Sequence, residues 1–250
     1  MLKLLISGAS GHVGQKIASL CKQNENFKVV CGVDRFNAEY KFPVFERFAD
    51  VNIIPDVIVD FSNPSLLDDI IAFAKANKIP CILATTGYSK EQIEFIKATA
   101  KEIPIFFTAN MSLGINLLSS LIKKASTVLG DDFDVEIIEK HHNQKLDAPS
   151  GTALMLADAV NSVNDGKYLY EYDRHSKREK RPKNEIGIHS VRGGTIVGEH
   201  EVIFAGNDEV ISISHTAFSK EVFAMGALRA ASFIADKPAG LYDMSDILAV

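Results

Sequence analysis

Two stretches of the 250-residue chain combine residue types and spacings that can do chemistry. The first is GASGHVG, with Gly8, Gly11 and Gly14 at intervals of three. Glycines at such a turn let the chain reverse sharply and bring backbone N–H groups against an anion. A helix opening behind them adds the positive end of its dipole, the arrangement that cradles a pyrophosphate. The spacing is G-x-x-G-x-x-G, a variant of the dinucleotide fingerprint G-x-G-x-x-G, so the turn draws its meaning from its setting. It follows an apolar run directly and opens a helical pattern, and Asp34 stands twenty residues beyond Gly14, where a carboxylate can accept from ribose hydroxyls. Arg35 follows at once and His12 lies within the turn, so cations for a 2′-phosphate are also at hand. These residues leave NADH and NADPH both open.

The second stretch is VEIIEKHHNQKLDAPSGTA. It delivers His141 and His142 side by side, then Lys145, Asp147 and the turn Pro149-Ser150-Gly151-Thr152. Adjacent residues of a strand point to opposite faces, so the two imidazoles do not readily share a metal ion, and the lysine would repel one. No metal site is expected. A histidine beside an ammonium group is instead an acid pair for protonating a reaction intermediate. The turn has the makeup of a helix N-terminus, with N–H groups, a hydroxyl and a glycine that admits a carboxylate closely. Singly, a buried histidine and an ordinary helix cap explain these residues. Together they describe a pocket for a small anionic substrate.

Hydrophobic patterning indicates what must position the two stretches. Over the first hundred residues strand and helix signals alternate: strands at 2–7, 27–34, 56–61, 80–85 and 104–108, with helices opening at Gly11, Pro64 and Ser89. Alternation at this spacing means parallel strands joined by helical crossovers, and continuous apolar strands mean helices on both faces. Beyond Asn110 the pattern changes: a helix over 114–130 ending at Gly130, a strand over 134–142 and a helix over 148–160. Two period-two segments follow at 198–206 and 209–217, then an amphipathic helix at 219–236. The expected fold class is α/β: a Rossmann-type doubly wound parallel sheet, plus a second α+β domain with an open mixed sheet. Residues 1–112 with 220–250 would form the dinucleotide-binding domain and 113–219 the substrate domain.

Composition narrows the partners. With 27 basic and 32 acidic residues the net charge is −5, a field that repels phosphate polymers and anionic lipid, so neither nucleic acid nor membrane is expected. No apolar run approaches the roughly 20 residues that span a bilayer. The start MLKLLISGAS lacks a cleavage pattern, so a cytoplasmic protein is expected. Cys21, Cys31 and Cys81 lie far apart among apolar neighbours and read as packing residues.

The string EKHHNQKLDAPSGTA resembles the signature of the dihydrodipicolinate (4-hydroxy-tetrahydrodipicolinate) reductases. The similarity extends through GASGHVG, VDFSNP, ATTG at 84–87, TANMSLGINLL at 108–118, VRGGTIVGEHE at 191–201, SHTAFS at 214–219 and GLYDMSDIL near the end. The resemblance implies reduction of a cyclic, dicarboxylate imine with NADH and/or NADPH in the diaminopimelate route to lysine. It implies cofactor contacts at Gly8, Ala9, Ser10, Gly11, His12, Val13 and Asp34, with Arg35 beside it. Others would be Ala84, Thr85 and Thr86, and Thr108, Ala109, Asn110 and Met111. His141 would be a proton donor or acceptor, Lys145 a proton donor, and His142, Ser150, Gly151 and Thr152 substrate contacts. A homotetramer joined through the second domain is likewise implied. Two departures stand out. Ala84 replaces a glycine common in relatives, and the loop RHSKREKRPK at 174–183 is strongly basic, although Arg181 within it matches the family pattern. Alternatives are a dinucleotide-binding sensor, which has no use for His141, Lys145 and the Ser150–Thr152 turn together, and another NAD(P)-dependent dehydrogenase of small acids.

Overall fold

The computed structural model describes residues 1–36 and 40–249; residues 37–39 and 250, which the expected first domain includes, lie outside the described residues. The chain divides into two compact units, Met1–Leu113 with Glu221–Val250, and Gly114–Lys220.

In chain order the elements of the first unit begin with β1 (Leu2–Ser7), α1 (His12–Cys21), β2 (Phe27–Val33), β3 (Val44–Phe45) and β4 (Val57–Asp60). They continue with α2 (Leu67–Asn77), β5 (Cys81–Leu83), α3 (Lys90–Thr99) and β6 (Pro104–Phe107). The second unit holds α4 (Leu113–Leu129) from its second residue on, β7 (Asp134–His141), α5 (Gly151–Ser162), β8 (Leu169–Glu171), β9 (Glu185–Arg192), β10 (Gly198–Ala205) and β11 (Val210–Ala217). The chain closes with α6 (Glu221–Ile234), β12 (Gly240–Tyr242) and α7 (Met244–Leu248), in the first unit.

The first unit is a seven-stranded, wholly parallel sheet in the order β12-β6-β5-β4-β1-β2-β3. Strand alternation sorts its apolar residues into two cores. Leu4, Ile6, Val57, Val59, Ile82 and Phe106 pack with Ile17 of α1 and the alanines of α6, while Leu5, Ile58, Cys81, Leu83 and Ile105 pack with Ile70 and Ile71 of α2 and Ile96 of α3. This is the doubly wound sheet that the continuous apolar strands predict. All three cysteines are buried and unpaired within these layers. The small residues of α6 let it lie tightly, for a Cβ on Gly226 would fall 1.8 Å from the Met111 carbonyl oxygen.

The second unit is a mixed sheet, β11-β10-β7-β9-β8, antiparallel at β11/β10 and β10/β7 and parallel at β7/β9 and β9/β8. One face is covered by Ile115, Leu118 and Ile122 of α4 and by Ala153, Leu156, Ala157 and Val160 of α5. Val135 and Ile137 of β7, Ile186 and Ile188 of β9, and Val202 and Phe204 of β10 supply the sheet side of that core. The two-residue period of a strand puts Glu139 and His141 on the face of Val135 and Ile137, and His200 on that of Val202. Register brings them level, with Glu139 opposite both Ser190 and His200, and His141 opposite Arg192.

The basic loop is anchored from within. Arg174 pairs with Glu185 and Lys177 with Glu171. Arg181 reaches Glu136 and Asp134, each at 2.9 Å, and donates to the Val135 carbonyl at 3.0 Å. Among the described residues no helix is long and apolar enough to cross a membrane.

The close approach at Gly226 makes a stability prediction. Gly226→Ala places a methyl against backbone that cannot yield, an overpacking that costs about 1–3 kcal/mol, so thermal denaturation of the variant should show a Tm several degrees below that of the parent.

Candidate active site

All strands of the first sheet run in one direction, so their carboxyl ends share one edge, where ligands of open α/β sheets bind. The sequence-predicted cofactor residues gather there: the glycine turn after β1, Asp34 after β2, residues 84–86 after β5 and residues 108–111 after β6. The turn admits no side chains at its tightest points. Gly8 has φ +80° and an added Cβ would lie 2.6 Å from the Phe61 carbonyl oxygen, while one on Gly14 would lie 2.3 Å from that of Gly8. Gly11, the N-cap of α1, has no side-chain cap, which leaves the positive end of the helix to an anion. Asp34 is aimed at this turn, its Oδ2 accepting from the Ser10 N–H at 2.8 Å and its Oδ1 from the Phe36 N–H at 3.2 Å. Each oxygen keeps a lone pair for a ribose hydroxyl. The cradle therefore fits a dinucleotide.

His12 and Arg35 are exposed, Val13 is half-buried and Ala9 fully buried. Ala84 and Thr85 are buried and Thr86 is exposed. Thr85 donates to Asp60 Oδ2 at 2.7 Å. Asp60 itself is fully buried, and burial pushes its carboxyl up against the opposing bonds from Ser62 and Thr85. In the last segment Ala109 is exposed and Met111 buried, and the Thr108 hydroxyl binds its neighbour Asn110 through both the carbonyl, at 3.1 Å, and the N–H, at 3.2 Å.

In the second unit the histidine strand and the turn after it converge on one buried carboxylate. Glu139 Oε2 lies 2.5 Å from His141 Nδ1 and accepts from Arg192 Nη1 at 2.8 Å. Its Oε1 accepts from Arg192 Nη2 at 2.6 Å and from the Ser150 N–H at 3.1 Å. The Ser150 side chain is engaged within the fold, since Oγ accepts from the Ala153 N–H at 3.1 Å as the cap of α5 and lies 3.0 Å from His200 Nε2. Gly151 is exposed with open space around it, and Thr152 is half-buried. Lys145 sits beside them, paired with Asp147 at 2.7 Å, and Arg192 donates to the Asp147 carbonyl at 2.7 Å. His142 follows the end of β7 and is half-buried.

Burial alone would raise the Glu139 carboxyl, yet bonds from Arg192, Ser190 and His141 hold it down at about 2. His141 lies below the usual histidine range because burial, aided by the cations of Lys145 and Arg192, outweighs the pull of Glu139. His200 is pushed down to about 4, first by burial and then by His141; its Nδ1 is buried with no partner. Sequence periodicity alone places Glu139 on the face of His141; Arg192 and His200 lie within the string VRGGTIVGEHE, but that they meet Glu139 and Ser150 shows only when β9 and β10 are paired with β7. Among the described residues no group of three His, Cys, Asp or Glu side chains could hold a metal ion.

These shifts fix a pH dependence. The folded pKa of His200 lies below its unfolded value, so between pH about 6.5 and 4 the unfolded chain binds the extra proton and stability falls as pH falls. The full loss for this one group is about 3 kcal/mol. Urea unfolding between pH 7 and 4 should show the decline, and His200→Gln should flatten it.

Comparison with known proteins identifies the family. Residues 2–111 match the family model "Dihydrodipicolinate reductase, N-terminus" and residues 114–248 match "Dihydrodipicolinate reductase, C-terminus". The 4-hydroxy-tetrahydrodipicolinate reductase of Caldanaerobacter subterraneus subsp. tengcongensis is 52% identical over 248 residues, covering 99% of this chain and 98% of the relative. That of Clostridium novyi is 48% identical over 249 residues, with 99% and 98% covered. Among solved structures, the dipicolinate-bound dihydrodipicolinate reductase from Paenisporosarcina sp. TG-14 superposes with a TM-score of 0.80 at 26% identity, covering 97% of each chain. With both of its units matched along nearly their whole lengths, the chain belongs to the dihydrodipicolinate reductase family.

Proposed function

We propose that this protein reduces 4-hydroxy-tetrahydrodipicolinate to tetrahydrodipicolinate with NADH or NADPH, releasing water, in the diaminopimelate route to lysine. One observation carries the reading. His141, Lys145 and the N-terminus of α5 stand together in the second unit of a chain about half identical, over its whole length, to reductases of that name. The first unit holds the dinucleotide at Gly8 to Val13 and Asp34, with Arg35, Ala84 to Thr86 and Thr108 to Met111 completing the edge. The second holds the substrate.

The bound dinucleotide supplies a hydride to the ring. What the chain must add is a hold on two carboxylates and a proton. The open N-terminus at Gly151 and Thr152, with His142, holds a carboxylate. Lys145 is the acid: its ammonium gives a proton to the carbon of the enamine that hydride addition leaves, and solvent restores it. His141 takes or returns a proton at its free ring nitrogen. Atoms balance as one imine, one hydride and one proton in, with the hydroxyl and a proton lost as water.

We further infer that the protein works as a cytoplasmic homotetramer. The face of the second sheet opposite α4 and α5 supports the assembly, because Ile138 and Ile203 are only half-buried there and Val191 is 44% exposed.

Oxidation of NADH and of NADPH, followed by nicotinamide absorbance with substrate generated from pyruvate and aspartate semialdehyde by the preceding synthase, tests the reading. Substrate-dependent turnover is expected, and the ratio of kcat/KM values ranks the nucleotides. A folded protein that binds nucleotide but oxidises none would instead favour the sensor. Lys145→Ala and His141→Ala should each lower kcat by about 10²–10³-fold while leaving nucleotide Kd nearly unchanged. Light scattering after size exclusion should return the mass of four chains.

A further inference from the structure

The reaction gives His141 and Lys145 work to do but leaves the carboxylate beneath them unexplained. Glu139 has no solvent access, and it is buried although nothing in the core around Val135 and Ile137 calls for a charge. Its oxygens are filled by donors: the Arg192 guanidinium takes both in a bidentate grip, the Ser150 N–H takes one, and His141 Nδ1 meets the other. A carboxylate held this way is anionic and acceptor-only. The ring atom facing it at 2.5 Å must therefore carry the proton. The His141 imidazole is the Nδ1–H tautomer, with its lone pair on Nε2, which makes no hydrogen bond among the described residues. Space is kept for that nitrogen by Gly198, where a Cβ would come within 3.2 Å of Nε2.

We propose that Glu139, gripped by Arg192, is the positioning residue of this reductase: it fixes the tautomer and orientation of His141 so that Nε2 takes and returns the proton. It also ties that ring to the Ser150 amide at the start of α5. One buried anion thus sets both the proton-transfer ring and the helix end that faces the substrate carboxylate. Arg192 acts through Glu139 and is not asked to touch substrate. The proposal rests on the reductase function given above.

The test separates this role from mere structural support. Protein labelled with 15N-histidine, its His141 signals assigned by their loss in His141→Asn, should show a protonated Nδ1 and an unprotonated Nε2 at neutral pH by solid-state NMR. That measurement needs neither substrate nor a Glu139 variant, so it stands even if the substrate assignment fails. An Nε2–H tautomer in the parent protein would overturn the proposal.

Glu139→Gln should then lower kcat by about 10²–10³-fold, the general acid–base contribution that His141 forfeits when its tautomer is no longer held. KM and nucleotide Kd should stay within about threefold, and the NMR signature should shift toward Nε2–H. Glu139→Asp, which keeps the charge at a shorter reach, should recover part of kcat and retain Nδ1–H. A Glu139→Gln protein with kcat within threefold of the parent, or one that loses kcat with the Nδ1–H signature intact, would contradict the role. If that variant does not fold, the parent spectrum and Glu139→Asp decide.

Discussion

A buried carboxylate is among the costliest groups a fold can carry, and here one organises the second unit. Glu139 lies on the apolar face of β7, where strand alternation places it regardless of its charge. An isolated anion in that setting would take up a proton or disrupt the core. Arg192, a backbone amide and an imidazole replace its water instead. Removing one partner of such a buried pair typically costs about 3–5 kcal/mol, which binds β7, β9 and the entry to α5 into one arrangement. The geometry of the site follows from that constraint rather than being added to it.

The two units solve their recognition problems by different means. In the first, the edge of a parallel sheet offers fixed partial charges of the backbone: uncapped amides at α1, glycines that keep the approach clear, and one acid aimed at the turn. In the second, side chains carry the electrostatics. Burial, aided by the cations of Lys145 and Arg192, holds the His141 imidazole below the usual histidine range against the pull of Glu139. The basic loop contributes less to these electrostatics than its composition implies, because Arg174, Lys177 and Arg181 are spent on Glu185, Glu171, Glu136 and Asp134.

Much of the fold is legible in the sequence because the parallel strands are buried on both faces. LKLLIS and VIVD admit no other reading once helical patterns separate them. The strands that escape such reading are short or irregular: Val44–Phe45, Leu169–Glu171 and Gly240–Tyr242 are too brief for periodicity. Glu185–Arg192 is buried throughout its first half and largely exposed in its second, so it never alternates cleanly. That strand supplies Arg192, and for that reason the partner of Glu139 stays hidden until register is known. Ser150 shows the complementary limit. Its position at a helix start is plain from Pro149-Ser150-Gly151-Thr152, but only three dimensions reveal that its hydroxyl faces His200 and its amide faces Glu139.

The central claim, that this chain transfers a hydride to the substrate ring and protonates the product of that transfer, has one direct test. The enzyme is supplied with dinucleotide carrying deuterium at both positions of the nicotinamide C4, with substrate generated in place, in ordinary water. The account predicts tetrahydrodipicolinate that carries one deuterium on its ring by mass spectrometry, formed in step with oxidised nucleotide. Unlabelled product, or no product from folded protein saturated with both ligands, would contradict it.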